Sequence, residues 1–156
     1  MKYWLMKSEP STYSIDDLKR DKKTAWEGVR NYQARNFMRD HMKRGDHVLF
    51  YHSNATPPAL VGLATVCKES YPDPSQFDPR NKYFDQKATP EKPIWYLVDI
   101  CFEEKFETPL SLEQIKNIRG LEKMLVVQKG SRLSVQPVEK KHFEHIVTML
   151  SKHKGK

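Results

Sequence analysis

Two apolar, strand-like runs, 46–53 and 59–68, are separated only by Asn54-Ala55-Thr56-Pro57-Pro58. The two prolines remove backbone donors, and a residue that precedes proline is pushed out of the helical region. No helix crosses such a linker, so it is a turn and the two runs are neighbours in one sheet. Gly62, inside the second run, marks a bulge or a close approach of backbone. This pair is the seed around which the rest of the chain must be arranged.

Further strands are predicted at 2–7, at 94–107, and at Arg132-Leu133-Ser134-Val135 just before Pro137. Ser14-Ile15-Asp16-Asp17 forms a capping box that opens a helix through about Lys19, and Ser111-Leu112-Glu113-Gln114 forms a second one. Asn31 caps a helix whose Ala34, Phe37, Met38, His41 and Met42 share one face, with Gly45 as its stop. Phe143, Ile146, Val147 and Leu150 give an amphipathic closing helix, and Ser151–Lys156 is a polar, frayed tail. Residues 69–93 hold five prolines and four aromatics without any period, the pattern of a long functional loop. No βαβ repetition appears. The order implies an α+β domain, residues 1–150: a small, partly closed mixed β-barrel of about five or six strands decorated by short helices.

Charge narrows the partners. The net charge is +7, distributed as +5 over residues 1–45, −1 over 46–138 and +3 over 139–156. A basic surface favours polyanions and speeds their encounter. Cys67 and Cys101 sit in separate apolar runs and form no CxxC, which points to two buried thiols in a reducing compartment. No apolar run reaches membrane-spanning length, and the N-terminus lacks the features of a signal peptide. The expectation is a cytoplasmic monomer without membrane contact.

Trp26-Glu27-Gly28-Val29-Arg30-Asn31-Tyr32-Gln33-Ala34-Arg35-Asn36 packs two aromatics, two arginines, two asparagines and a glutamine into eleven residues. Such a mixture suits a pocket that stacks a flat ring, hydrogen-bonds its edges and holds a phosphate nearby. The plainer reading is that Trp26 is core, Gly28 makes a turn and Asn31 caps a helix.

Taken together, Trp4-Leu5-Met6-Lys7-Ser8-Glu9-Pro10, the Trp26–Asn36 segment, Gly45-Asp46, Phe50-Tyr51-His52-Ser53, Gly62, Tyr71-Pro72-Asp73, Phe77-Asp78 and Arg132-Leu133-Ser134-Val135 resemble the EVE domain family. The resemblance runs over about residues 2–150. It implies a PUA-like barrel, related to the PUA, ASCH and YTH domains, that reads modified bases in DNA or RNA without catalysis, metal or cofactor. A chain that starts directly on the Trp-Leu-Met-Lys-Ser strand resembles the compact bacterial members. By the same resemblance the pocket is built from Lys7, Ser8 and Glu9, Trp26, Asn31, Tyr32 and Gln33, Tyr51, His52 and Ser53, and Arg132, Leu133 and Ser134. YTH domains cage a methylated adenine in aromatics. By that likeness Trp26 is one wall, with Tyr32, Tyr51 and Trp95 as candidates for the others. Arg30 and Arg35, with Arg39 and the C-terminal lysines, would hold flanking phosphates.

Three other readings compete. Ser8, Glu9, His52 and Asp46 could furnish a hydrolase, although there is no G-x-S-x-G elbow; the plainer reading of His52 is a hydrogen-bonded core histidine. His142 and His145 lie three apart on the closing helix but lack a third ligand, which makes them solvated helix histidines. The 71–93 loop could serve as a protein-interaction module, and Asp73, Asp78 and Asp85 do not fit a calcium loop. Ordering of that loop over one side of the pocket is the favoured arrangement.

Overall fold

The computed structural model describes residues 1–130 and 132–154, the last four as backbone only. In chain order the elements are β1 (Tyr3–Ser8), α1 (Ile15–Asp21), β2 (Lys23–Ala25), α2 (Tyr32–Asn36), β3 (His47–His52), β4 (Ala59–Pro72), β5 (Tyr96–Ser111), α3 (Leu112–Lys116), β6 (Val135–Val138) and α4 (Lys140–Lys154). The strands form one six-stranded mixed sheet in the order β2-β5-β4-β3-β1-β6. β1 runs parallel to β3, with Leu5 beside Leu49, and the remaining pairs are antiparallel. The sheet does not close, because β2 and β6 remain as its two edges.

As expected from the Pro57-Pro58 turn, β3 and β4 are neighbours, and Leu49 lies opposite Leu63. Gly62 satisfies both of its predicted roles. The β4–β5 register shifts between Leu60 and Gly62, and a Cβ there would stand 2.6 Å from Ile15 Cδ1 and collide with the Glu104 carbonyl. Helix α1 can therefore press onto the sheet only where β4 has no side chain.

Alternation along the strands divides the interior into two cores. Trp4, Met6, Val48 and Phe50 pack with Ile15, Leu18, Trp26 and Met38 on one face. Leu5, Leu49 and Tyr51 pack with Ile115, Leu121, Phe143 and Ile146 on the other. Covering both faces is why the β3 run reads as continuously apolar rather than alternating. Among the described residues no helix is long and apolar enough to cross a membrane.

Several elements differ from the sequence expectation. β4 and β5 extend to Pro72 and Ser111, well past their predicted ends, and Pro74–Phe77 form a 3₁₀ turn inside the predicted loop. β2 has only three residues, too few to show a period. β6 begins at Val135 rather than Arg132 and contains Pro137, which an edge strand tolerates because its outer side needs no donor. The helix capped by Asn31 is regular only to Asn36; Phe37–His41 form a π turn, closed by the Met42 amide on the Phe37 carbonyl at 2.9 Å. The wider turn leaves His41 exposed while Phe37 packs on Trp4, ring centroids 5.5 Å apart. His142 is buried, with Nδ1 3.4 Å from a Glu139 carboxyl oxygen, and only His145 is solvated. Cys67 and Cys101 are free and half-buried, and desolvation pushes the Cys67 thiol up to about 12. The expected frayed tail lies outside the described residues except for the helical backbone through Lys154.

Two polar anchors set the sheet's ends. The buried Asp46 carboxylate accepts from the Lys2 amide (3.1 Å), Trp4 Nε1 (3.0 Å) and the Lys43 amide (3.0 Å), tying the start of β1 to the start of β3. At the other end, His52 Nε2 accepts from the Ile15 amide at 3.1 Å, below the Ser14–Asp17 capping box. Burial lowers the His52 pKa below its ordinary value, which keeps the ring neutral and able to accept.

Replacing Asp46 by Ala should cost about 2–4 kcal/mol, since buried donors lose a charged acceptor. Urea unfolding measures this, and a loss below about 1 kcal/mol would show that the anchor is dispensable. His52 should leave a pH signature. Its folded pKa lies below the unfolded one, so the unfolded chain binds the proton more readily and stability falls as pH drops below about 6.5. Unfolding of the wild type between pH 6.5 and 5 should therefore show a loss that His52→Gln does not. Parallel pH curves for the two proteins would refute this role.

Candidate functional site

A cleft of about 710 Å³ opens where β1 ends. Lys7, Ser8 and Glu9 of β1 and its exit form its floor, together with Ser134, whose carbonyl accepts from the Lys7 amide at 2.8 Å. Thr12 and Tyr13, just before α1, form one side, and the chain from Thr24 to Arg30, through and after β2, forms the opposite side. Lys82 and Tyr83, from the long loop between β4 and β5, complete the rim.

Trp26 is held edge-on against Phe50, ring centroids 5.4 Å apart at 88°, and its amide donates to the Val98 carbonyl at 2.9 Å. It is 8% exposed and still lines the cleft, so it is both a core residue and a wall. Gly28 has φ +89°, and a Cβ on it would stand 2.5 Å from the Tyr83 ring. Only glycine lets the long loop close down at this place.

A buried polar network holds that loop. The Asp73 carboxylate accepts from the Gly28 amide (2.8 Å), Arg30 Nη1 (3.2 Å), and the Ser75 amide and hydroxyl (2.8 and 2.6 Å). Arg30 also donates to the Tyr83 carbonyl from Nε and Nη2 (3.1 and 2.7 Å), to the Val29 carbonyl and to Ser75 Oγ. Its guanidinium lies between two rings, 5.5 Å from the centroid of Tyr83 and 5.2 Å from that of Trp95. Gln76 is fully buried and joins the two ends of the loop. Its amide donates to the Asp73 and Trp95 carbonyls, and its oxygen accepts from the Ile94 and Trp95 amides. Trp95 Nε1 donates to Asp85 at 2.8 Å, which holds the Asp85 carboxyl below its usual range.

Of the residues named from sequence, the fold brings Lys7, Ser8, Glu9, Trp26, Arg30 and Ser134 together in the cleft. The others lie elsewhere. The Asn31 side chain caps α2 by accepting from the Ala34 amide at 2.9 Å. Tyr32 stacks on Trp95 outside the cleft, and Gln33 is exposed on α2. Arg35 donates to the Ile94 carbonyl and to Asn36 Oδ1. Tyr51 is buried in the second core with Lys7 Nζ 5.9 Å from its ring centroid, and burial raises its phenol pKa. His52 faces α1, the Ser53 amide donates to the Ser8 carbonyl, and Trp95 lies under Arg30. Arg132 is exposed and Leu133 packs against the first core. Thr12, Tyr13, Thr24, Lys82 and Tyr83 were not picked out by sequence reasoning. For Tyr83 the only signal was an aromatic inside an aperiodic, proline-rich stretch.

The chemistry of the cleft follows from what these groups already do. Ser8 Oγ donates to the Tyr13 carbonyl at 2.6 Å, Glu9 accepts from Asn54 at 3.2 Å, and Asp46 lies at the opposite end of β1. The hydrolase set is therefore not assembled. Asp73 is likewise engaged within the protein, by four hydrogen bonds to its carboxylate. Burial lowers the Lys7 pKa below the usual lysine range. What remains is a half-open cleft with an aromatic wall, hydroxyls, carbonyls and carboxylates at its sides, and lysines on floor and rim.

Known proteins bear on this arrangement. The EVE domain pattern matches residues 2–149. Mouse (Mus musculus) thymocyte nuclear protein 1 is 41% identical over 165 residues, covering 94% of this chain and 73% of the mouse protein. A crystal structure of a protein from Pseudomonas syringae superposes with a TM-score of 0.91 at 48% identity, covering 95% of this chain and 99% of the other. Human THYN1 protein, crystallised in complex with 5-methylcytosine-containing DNA, superposes with a TM-score of 0.89 at 36% identity, covering 96% and 98%. With an α+β, PUA-like sheet and a matched pattern over nearly its whole length, this chain belongs to the EVE domain family.

Proposed function

We propose that this chain is a non-catalytic reader of a modified base in DNA, with one extruded base entering the cleft against Trp26. The observation that carries the reading is the cleft itself: an aromatic wall fixed by the core, polar edges opposite, and lysines at floor and rim. Its likeness to human THYN1, which was crystallised with 5-methylcytosine-containing DNA, makes that base the first candidate. RNA is the alternative polymer. A non-enzymatic role is supported by Ser8 and His52, both committed to backbone partners. The same proposal takes residues 1–150 as one unit, a monomer without cofactor or metal, in keeping with the pattern match over residues 2–149. A cytoplasmic and bacterial setting belongs to the same proposal, supported by the two free cysteines and by 48% identity to the Pseudomonas syringae protein.

Magnitudes constrain how such a reader discriminates. Extruding a base costs a few kcal/mol, and stacking it on an aromatic returns about 1–3 kcal/mol. Burying one added methyl contributes about 0.8 kcal/mol, roughly fourfold in affinity. Most of the affinity therefore comes from stacking and phosphate contacts, and methyl burial alone gives only a modest preference. Arg30 and Arg35 are bonded internally, which leaves exposed Lys82 as the rim cation best placed for a phosphate.

Two measurements test the proposal with fluorescent oligonucleotides carrying one 5-methylcytosine. Trp26→Leu, which keeps most of the core volume, should weaken binding by about 1–3 kcal/mol while leaving the salt-sensitive background. If the wild type binds methylated and plain strands equally, or if Trp26→Leu binds like the wild type, the reading fails. Lys82→Ala should flatten the slope of log affinity against log salt by about 0.9 on duplex DNA. An unchanged slope would remove Lys82 from the phosphate path.

A further inference from the structure

We infer that the outward face of Tyr32 is a stacking platform for a second base of the strand, a few nucleotides from the one held in the cleft, an inference that rests on the modified-base reading above. Tyr32 opens α2 and is 59% exposed, the most exposed of the Phe, Tyr and Trp residues among those described. A surface tyrosine on a short polar helix ordinarily moves freely. This one is held, because its ring stacks on Trp95 with centroids 4.9 Å apart and planes 26° from parallel. The Arg35 guanidinium lies 4.8 Å from the Tyr32 centroid and 5.9 Å from that of Trp95. Had Arg35 and Trp95 covered opposite faces of Tyr32, their separation would approach the sum of their two distances from it. It is far shorter, so they do not sandwich the ring, and the 59% exposure of Tyr32 is of the surface that they leave uncovered.

The surroundings match a nucleic-acid strand. Arg35 donates to neutral oxygens, the Ile94 carbonyl and Asn36 Oδ1, so a cation stands beside the ring, with the Asp40 carboxylate near enough to be lowered in pKa by it. Asn31 and Gln33 stand exposed on either side of Tyr32 in sequence. Rings and guanidinium also run continuously back to the cleft: Tyr83 on its rim, then Arg30, then Trp95, then Tyr32. A stacked strand advances about 3.4 Å per nucleotide, so these few steps correspond to a handful of nucleotides. A rigid aromatic face that receives another base of the same strand offsets part of the cost of extruding the first. Such a platform tolerates any base, because every base has a π face. Tyr32 would thus add affinity without adding sequence preference.

The test compares two probes: an oligonucleotide with a single internal 5-methylcytosine, and 5-methyldeoxycytidine monophosphate, which fills only the cleft. Tyr32→Ala should weaken the oligonucleotide by roughly fivefold to a hundredfold and leave the mononucleotide unchanged, with Tyr32→Phe restoring wild-type affinity. The salt slope should not move, because no phosphate contact is lost. The exposed position leaves folding intact, which thermal melting checks. Wild-type oligonucleotide affinity in Tyr32→Ala, as for a tyrosine that serves a protein partner, overturns the inference. An equal loss on the mononucleotide overturns it too, since Tyr32 would then act through the cleft. In both cases the modified-base reading stands if the wild type still prefers the methylated strand. A wild type without that preference removes the reading and this inference with it.

Discussion

The pair of half-buried Arg30 and buried Asp73 is the interaction on which the cleft depends. Each end of it belongs to a segment without regular structure: the chain leaving β2, and the loop leaving β4. Asp73 takes the Gly28 amide as well as the Arg30 guanidinium, so one carboxylate joins the two segments twice. Such a pair adds little net stability, because desolvating two charges offsets most of their attraction. Removing Arg30 is another matter, since the Asp73 carboxylate would be left buried without its counter-ion. The pair is better understood as fixing position: it sets Tyr83 over Gly28 and thereby shapes the rim.

The sheet supplies the other half of the site. β1 and β3 run parallel, so both deliver their C-terminal ends to the same edge of the molecule. Lys7, Ser8 and Glu9 leave β1 there, and His52 leaves β3 close by to receive the first amide of α1. Trp26 links this edge to the core through Phe50. A base that stacks on Trp26 would meet a ring that cannot move away, which conserves binding energy otherwise lost to ordering side chains. The neighbouring stack of Tyr83, Arg30, Trp95 and Tyr32 uses the same economy on the outer surface.

Local signals in the chain were informative wherever local physics decides. The Ser14 and Ser111 capping boxes and the Asn31 cap all form as read, because a cap involves only residues three positions apart. The Pro57-Pro58 turn and Gly62 also behave as read, because backbone sterics act at a single residue. The π turn at Phe37–His41 was not legible: its apolar spacing resembles an ordinary helix, and only packing on Trp4 distinguishes the two. β2 and the late start of β6 escaped for a related reason. Short edge strands are defined by the partner they pair with rather than by their own pattern.

What the sequence by itself determined is the α+β order, the family resemblance, the basic character and half of the cleft, from Lys7-Ser8-Glu9 to Trp26 and Ser134. Those are properties of contiguous residues, and contiguous residues can be read directly. Tertiary structure alone decided what each side chain is free to do. Arg30 and Arg35 look like phosphate ligands in the chain, yet in the fold they are spent on Asp73, Tyr83 and Ile94. Tyr32 looks like a pocket wall and stands outside on Trp95, while Tyr51 faces the opposite core. The physical reason is that hydrogen-bond partners and ring neighbours are set by distance in space. Residue 30 meets residue 73, and residue 32 meets residue 95, only after the sheet has brought their loops together.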